Sequence, residues 1–338
     1  MSRALGPGGL ADRLGSLSLA VTGLAVERRT VPVAGYYDGA GRPTGIAVLA
    51  GAGARGRGEC VAWTPREQDA FAAACSGLEL PAEATIEELS VLLADELDDP
   101  YHRTAVEGAA IDLALRQAGT NLFALAHRPA RPIAFCHSIG READPLPAIT
   151  DLLERDPGAQ VKLDVPPDGW LPSTWEALAA LRRIVVFDFK RESHLDQVRF
   201  AHQAVPDAWL EDPPAEAMTL DPRGDWRRRV SLDGYVFAAV DLDDPEIPPA
   251  AVNVKAPRVG GWLEALRCLE TCRRRGWHAY MGGMFEVHVG RAQARVLASL
   301  FTADAWNDLA PLAPPGEYSP ASQLDPTDDY AGFVEEPA

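Results

Sequence analysis

The stretch AVNVKAPRVGGWLEALRCLETCRRRGWHAYMGGMF (251–285) decides the fold. It opens on a short apolar run, AVNV, passes a Gly-Gly break into apolar residues at helical spacing, and returns at HAYM to a second apolar run. Strand, helix and strand within one such stretch form a βαβ unit, whose strands lie parallel because the helix crosses back over the sheet.

Working outward, the same rhythm runs through the preceding segments PIAFCHSIG, AQVKLDV, RIVVFDFK, AWLEDPP and YVFAAVDL, each read as a strand and separated from the next by helical sequence. These runs are apolar throughout instead of alternating, which suits a sheet covered on both faces. Together they predict a parallel α/β domain over 131–312, a (β/α) barrel of modified TIM type. Polar or charged residues stand at the C-terminal end of nearly every strand, the end where such barrels build their sites. No Gly-rich phosphate loop follows any strand, so a dinucleotide is not expected.

Residues 1–130 have a different texture. LSLAVTGLAV and GIAVLAG, broken by the turn YYDGAGRPTG, read as an antiparallel meander. ATIEELSVLLADEL and AVEGAAIDLALRQAG then read as helices, the second with Val106, Ala110, Ile111, Ala114 and Leu115 on one face and Gly119 at its end. The expectation is an α+β capping domain (1–130), the barrel (131–312) and an irregular tail (313–338). A chain of 338 residues is long enough for two cores.

The 49 acidic residues outnumber the 32 basic ones, and a net charge of −17 gives no footprint for nucleic acid. The apolar stretch Leu14 to Val26 is interrupted by Ser16, Ser18 and Thr22, so neither a signal peptide nor a membrane span is expected and the setting reads as cytoplasmic. Five scattered cysteines do not make a disulfide framework. Cys268 and Cys272, four apart in a helical stretch, could share a metal ligand, but such a pair is more often helix packing.

Three acids close successive strand readings: Asp188 in VVFD, Glu211 in WLE and Asp241 in AAVD, spaced 23 and 30 residues apart. One such acid alone is ordinarily a solvated strand end. Three converging on one barrel mouth make an all-oxygen donor set suited to Mg²⁺, or Mn²⁺, more than to zinc. Lys255 ends the next strand, in VNVK. Beside a dication its ammonium form is disfavoured, so it is a candidate base; a plain strand-end lysine is the competing reading.

RVGG (258–261), GGMFE (282–286) and GRAQ (290–293) resemble the closing barrel region of the muconate-lactonizing subgroup of the enolase superfamily, nearest to the o-succinylbenzoate synthase and N-succinylamino acid racemase branch. WLEDPP resembles its fourth-strand motif, EGAAIDLALRQAG its last capping helix and GRGECVAW, around Glu59, its early sheet motif; the likeness covers roughly residues 15–312. The resemblance implies metal ligands at Asp188, Glu211 and Asp241, a catalytic lysine at Lys255, and removal of a proton α to a carboxylate through a metal-stabilised enediolate. It further implies a substrate-side glutamate at Glu286, and Tyr36 and Tyr37 in the turn that closes over the barrel; Arg258, in RVGG, reads as a donor at the barrel mouth, the alternative being that RVGG only shapes the start of the next helix. A homo-oligomer and a small-molecule carboxylate substrate follow from the same likeness.

The chain departs from that pattern at the chemistry. The subgroup's second strand ends K-x-K, and here it is Lys162-Leu-Asp164. The third reads D-x-N, and here it is Asp188-Phe-Lys190. The fifth reads D-E-S, and here it is taken as Asp241-Leu-Asp243. Residues two apart on a strand share a face, so Asp164 and Lys190 are expected to point inward from adjacent strands and pair, a lysine relocated from strand two to strand three. Catalytic candidates are therefore Lys255, Lys162, Asp164 and Lys190. Two function classes stay open: a lyase or isomerase of the o-succinylbenzoate synthase, cycloisomerase or dehydratase kind, which needs one base, and a non-catalytic homologue serving as a binding or regulatory scaffold.

Overall fold

The computed structural model of the chain describes residues 8–33, 41–245, 247–310, 323–324 and 333. Tyr36 and Tyr37 lie outside the described residues.

The first part of the chain is built on a three-stranded antiparallel sheet of β2 (Gly23–Val31), β3 (Arg42–Gly51) and β4 (Ala54–Cys60), preceded by α1 (Leu10–Gly15) and β1 (Ser18–Ala20). Next come α2 (Pro65–Gly77), β5 (Glu83–Thr85), which pairs with β1, α3 (Ile86–Glu96), α4 (Pro100–Gln117) and α5 (Leu122–Ala126). Helix starts follow local chemistry. Thr64 with Glu67, and Thr85 with Glu88, form reciprocal capping boxes, and Asp99 caps α4.

Helix α4 is buried without a break from Thr104 to Leu115, so it is an internal helix and not an amphipathic surface one. Strand β4 lies on it with almost no spacing. A Cβ at Gly56 would run into the Ala109 carbonyl and the Leu113 backbone, and one at Gly58 into the Ala105 carbonyl, with Ala109 N at 2.7 Å. The bare backbone of GRGEC is what lets sheet and helix touch.

The second part is a ring. β7 (His137–Ile139), β8 (Val161–Asp164), β9 (Ile184–Asp188), β10 (Trp209–Glu211), β11 (Val230–Leu232), β12 (Ala251–Val254) and β13 (His278–Met281) form one parallel sheet in sequential order. Residues 307 and 308 stand in for an eighth strand, bridging Phe135 through Asn307 and Gly282 through Asp308. Outside the ring lie α6 (Leu146–Arg155), α7 (Pro172–Leu181), α8 (Leu195–Ala204), α9 (Ala215–Leu220), α10 (Ala256–Val259), α11 (Trp262–Arg275) and α12 (Val289–Phe301). The barrel reading therefore holds, with an α+β domain ahead of it.

One strand was misplaced from sequence. YVFAAVDL is a turn and a 3₁₀ segment at Ala239–Leu242, and the fifth barrel strand is the three-residue VSL before it. Ser231 breaks the apolar run of that strand because it faces inward, its hydroxyl 2.8 Å from Tyr280 Oη. In the tail expected to be irregular, Gln323–Leu324 pairs antiparallel with β6 (Ile133–Ala134), and Phe333 is buried against Trp262 with ring centroids 5.4 Å apart.

Two buried carboxylates of the first domain hold the barrel. Glu59 on β4 accepts from the N–H groups of Val287, His288 and Gly290 at 2.7–2.9 Å, at the start of α12. Glu107 on α4 accepts from Trp262 N and Leu263 N, at the start of α11, and from Ser90. Each places negative charge on helix N-termini whose N–H groups lack intrahelical partners.

Gly58→Ala is expected to destabilise the protein by about 3 kcal/mol through overpacking against α4. Gly77→Ala, where an added Cβ meets nothing within 4 Å, is expected to stay within about 0.5 kcal/mol of the parent. Urea unfolding of both variants checks this, and equal midpoints would contradict the close sheet–helix contact.

Candidate metal and active site

The C-terminal ends of β8 to β12 and β13 deliver polar side chains to one mouth. Asp188 ends β9 and Glu211 ends β10, in register as β-partners. Asp233 follows β11. One oxygen from each of Asp188, Glu211 and Asp233 lies within 4.8 Å of the others, and all three residues are buried.

Asp241 is not in this group. It lies on the 3₁₀ segment, where its Oδ2 accepts from Phe237 N (2.7 Å) and Ala238 N (2.9 Å), an acid capping a turn. The expected trio is therefore corrected to Asp188, Glu211 and Asp233. With Lys255 these residues fall at intervals of 23, 22 and 22, an even βα period that the choice of Asp241 broke. That regularity was the signal available in the sequence.

Ammonium groups occupy the spaces between the acids. Lys162 Nζ from β8 pairs with Glu211 and lies 3.2 Å from Asp188 and 3.4 Å from Asp308. Lys190 Nζ reaches Asp188 at 2.6 Å and Asp164 at 3.0 Å, so the expected inward pair of Asp164 and Lys190 forms. Lys255 Nζ lies 2.8 Å from Asp233 Oδ2, and Arg258 reaches the same oxygen at 3.3 Å. The Lys190 side chain is 38% exposed, against 2% and 8% for Lys162 and Lys255. Lys190 and Arg191 both take left-handed backbone, as does Asp212 after β10. Such conformations cost about 1 kcal/mol or more each and concentrate where surroundings enforce them.

The electrostatics follow from burial and company. Burial disfavours the Lys162 ammonium, but Glu211, Asp188 and Asp308 outweigh it and hold its pKa well above normal. Burial likewise would raise Asp188, and Lys162 with Lys190 more than reverses it, keeping that carboxyl below its usual range. Full burial pushes Glu211 up against the pull of Lys162. Within that pair the ammonium persists, because three carboxylates share it. Asp164 is raised by burial despite Lys190. Asp212, raised by burial and by Asp233 to about 6, accepts from Asp233 N and Gly234 N and so fixes the turn that carries Asp233.

Several residues here were not read from sequence: Asp233, Asp212, Asn253 and Tyr280, whose amide and hydroxyl both donate to Glu211 Oε2, and Asp308, which accepts from Ser138 at 2.7 Å and faces Lys162. Conversely, Glu286 is buried but folds back on its own loop, both oxygens accepting from Met284 N at 3.0 and 3.1 Å. The structure does not bring it to the trio. Arg258 stands beside Asp233, its Nη2 3.3 Å from Oδ2.

The donor set fits a small hard dication. It is all oxygen, buried and convergent, and Asp233 Oδ1 is buried with no hydrogen-bond partner among the described residues. Counting Asp164, Asp188, Glu211, Asp212, Asp233 and Asp308 against Lys162, Lys190, Lys255 and Arg258 leaves two negative charges when all are ionised, which one divalent cation balances. No helix among the described residues is long and apolar enough to cross a membrane.

Comparison with known proteins agrees with this architecture. A family model described as the N-terminal domain of a domain of unknown function (DUF8230) matches residues 12–125, and its C-terminal-domain counterpart matches residues 129–314. An N-succinylamino acid racemase from an Amycolatopsis species is 39% identical over 108 residues, 31% of this chain and 24% of that protein. An o-succinylbenzoate synthase from Bacillus subtilis (strain 168) is 43% identical over 49 residues, 14% of this chain and 13% of that protein. The chain thus aligns with a quarter or less of the length of these curated relatives.

Among solved structures, an unknown member of the enolase superfamily from Enterococcus faecalis V583 superposes with a TM-score of 0.68 at 22% identity, covering 86% of each chain. A dipeptide epimerase from Methylococcus capsulatus, complexed with Mg and the dipeptide L-Arg-D-Lys, superposes with a TM-score of 0.71 at 20% identity, covering 86% of this chain and 90% of that one. At these identities the likeness is one of fold. The chain has the barrel and capping domain of the enolase superfamily, and it belongs to the family described as DUF8230.

Proposed function

We propose that the chain is a divalent-metal-dependent lyase or isomerase that removes a proton α to a carboxylate through an enediolate, in the manner of o-succinylbenzoate synthase or of a divergent cycloisomerase or dehydratase. The observation that carries this reading is the buried trio Asp188, Glu211 and Asp233 at successive strand ends with Lys255 beside it. Mg²⁺ or Mn²⁺ held there would supply positive charge where the substrate carboxylate gains negative charge. The Mg-bound dipeptide epimerase of the same fold, and the racemase and synthase matches, support the class of reaction.

Among the three lysines, Lys255 is the base in this reading. Lys162 is claimed by three carboxylates and Lys190 by two, whereas Lys255 Nζ pairs with Asp233 alone among the described residues. Lys255 would take the α-proton from one face. Lys190, half exposed and on the far side of the trio from Lys255, would present an ammonium to substrate with Asp164 orienting it, and Arg258 would bind a substrate oxyanion. One base suffices for elimination or cycloisomerisation, which is why these are favoured over racemisation. The substrate would be a small carboxylate, succinyl-bearing or N-acylated. A cytoplasmic setting suits the five cysteines, all buried and unpaired.

A second reading, a non-catalytic binding scaffold, draws on Asp164 standing where the resembled subgroup has a lysine and on Lys162 filling the space among the acids. Exchange of α-protons in D₂O separates the two. Purified protein with Mg²⁺ and a panel of N-succinyl amino acids and related carboxylates is expected to show exchange by NMR, and no exchange across the panel would favour the scaffold.

Lys255→Ala is expected to lower that exchange by about a thousandfold while Mg²⁺ affinity is retained. Unchanged exchange would remove Lys255 as the base.

Lys190→Ala is expected to lower the rate by about a hundredfold, with partial recovery in Lys190→Arg, since a fixed cation and not a proton acceptor is required. Full activity in Lys190→Ala would end the relocated-lysine reading.

A further inference from the structure

At the opposite end of the barrel, where the strands begin, a cavity of about 480 Å³ is walled by Trp209, Trp277, Trp306 and Phe301 together with Arg128 and Arg273. Trp209 opens β10 and His278 opens β13, their rings 5.3 Å apart, so the cavity reaches the floor of the ring.

Its charges are arranged unusually for so acidic a chain. The Arg128 and Arg273 guanidinium carbons both lie 5.8 Å from the centre of the Phe301 ring. Burial, then Arg273 and then Arg13, disfavour the Arg128 cation, and only Glu270 is set against them. No ion pair joins Arg13, Arg128 or Arg273 to an acid among the described residues. The acid in the wall, Asp304, is paired with Arg131 at 2.5 Å and is turned to solvent. Glu270 and solvent at the exposed Arg273 offset this crowding in part, and a bound anion would offset it further.

We propose that this cavity is a binding site for a planar aromatic carboxylate of one or two rings, distinct from the candidate site at the other mouth. The guanidinium fork of Arg273 matches a carboxylate, and Arg128, whose Nη1 donates to Leu300 O at 3.0 Å, adds positive charge beside it. Trp209 and Trp277 already carry Arg229 and Arg275 over their rings, at 4.9 and 5.2 Å, so a flat ring would lie against Trp306 and the apolar edges these leave open, and the volume is that of a small-ligand pocket. A bare inorganic anion would leave the aromatic walls unused, and a neutral arene would leave the arginines unanswered.

Calorimetric titration of the metal-stripped protein in EDTA with 2-naphthoate tests this. One site is expected, weakened at least tenfold in Arg273→Gln and in Trp306→Ala, and weakened at least tenfold when 2-naphthamide replaces the acid. Arg258→Gln, at the other mouth, is expected to leave binding unchanged. Absence of binding, equal affinity for the amide, or loss in Arg258→Gln with retention in Arg273→Gln would overturn the proposal. Because no metal is present, the outcome is independent of whether the metal-dependent reading holds.

Discussion

Buried negative charge at one end of the barrel is the constraint on which the structure depends. Asp188, Glu211 and Asp233 are each at most 3% exposed, and a buried carboxylate without a cation costs several kcal/mol. The chain meets that cost locally, with Lys162, Lys190, Lys255 and Arg258 threaded between the acids. Such an arrangement works only if neighbouring strands end at the same height. The parallel register that sets Glu211 beside Asp188, and Asp188 beside Asp164, supplies that height. The capping domain then fixes the barrel's helices through Glu59 and Glu107, and itself closes because two glycines let β4 lie on α4.

Where local chemistry dominates, the sequence was legible. RIVVFD and WLE end on their acids because an apolar run cannot continue through a carboxylate, and Lys255 follows AVNV for the same reason. The pairing of Asp164 with Lys190 followed from the two-residue period of a strand. What stayed hidden was set by tertiary structure. Strand VSL is three residues long with an inward serine, so the more apolar YVFAAVDL took its place and Asp241 displaced Asp233. Asp308 was missed because the ring closes on two residues with no apolar run to mark a strand, and the partner of Asn307, Phe135, is at the far end of the barrel sequence. Glu286, read from its motif, has both carboxylate oxygens turned to the Met284 N–H two residues earlier, a contact set by the loop's own path.

The departures from the resembled subgroup compensate one another. Asp164 brings an acid to a place where a lysine is usual, and Lys190, on the next strand, restores a cation there at 3.0 Å. The cation count of the mouth is thereby kept while its geometry changes, because the new ammonium comes from a left-handed turn after β9 and is more exposed than its neighbours. The cation is kept but moved, and one carboxylate is added, so the mouth is more negative by one charge than the resembled pattern, in the direction that favours a bound cation.

The central claim is that Asp188, Glu211 and Asp233 together hold a dication. Calorimetric titration of metal-stripped protein with Mg²⁺ tests it most directly when Asp233→Asn is run beside Asp241→Asn. A single site is expected in the parent and in Asp241→Asn, with its loss in Asp233→Asn; an unchanged site in Asp233→Asn, or loss in Asp241→Asn, would contradict the assignment.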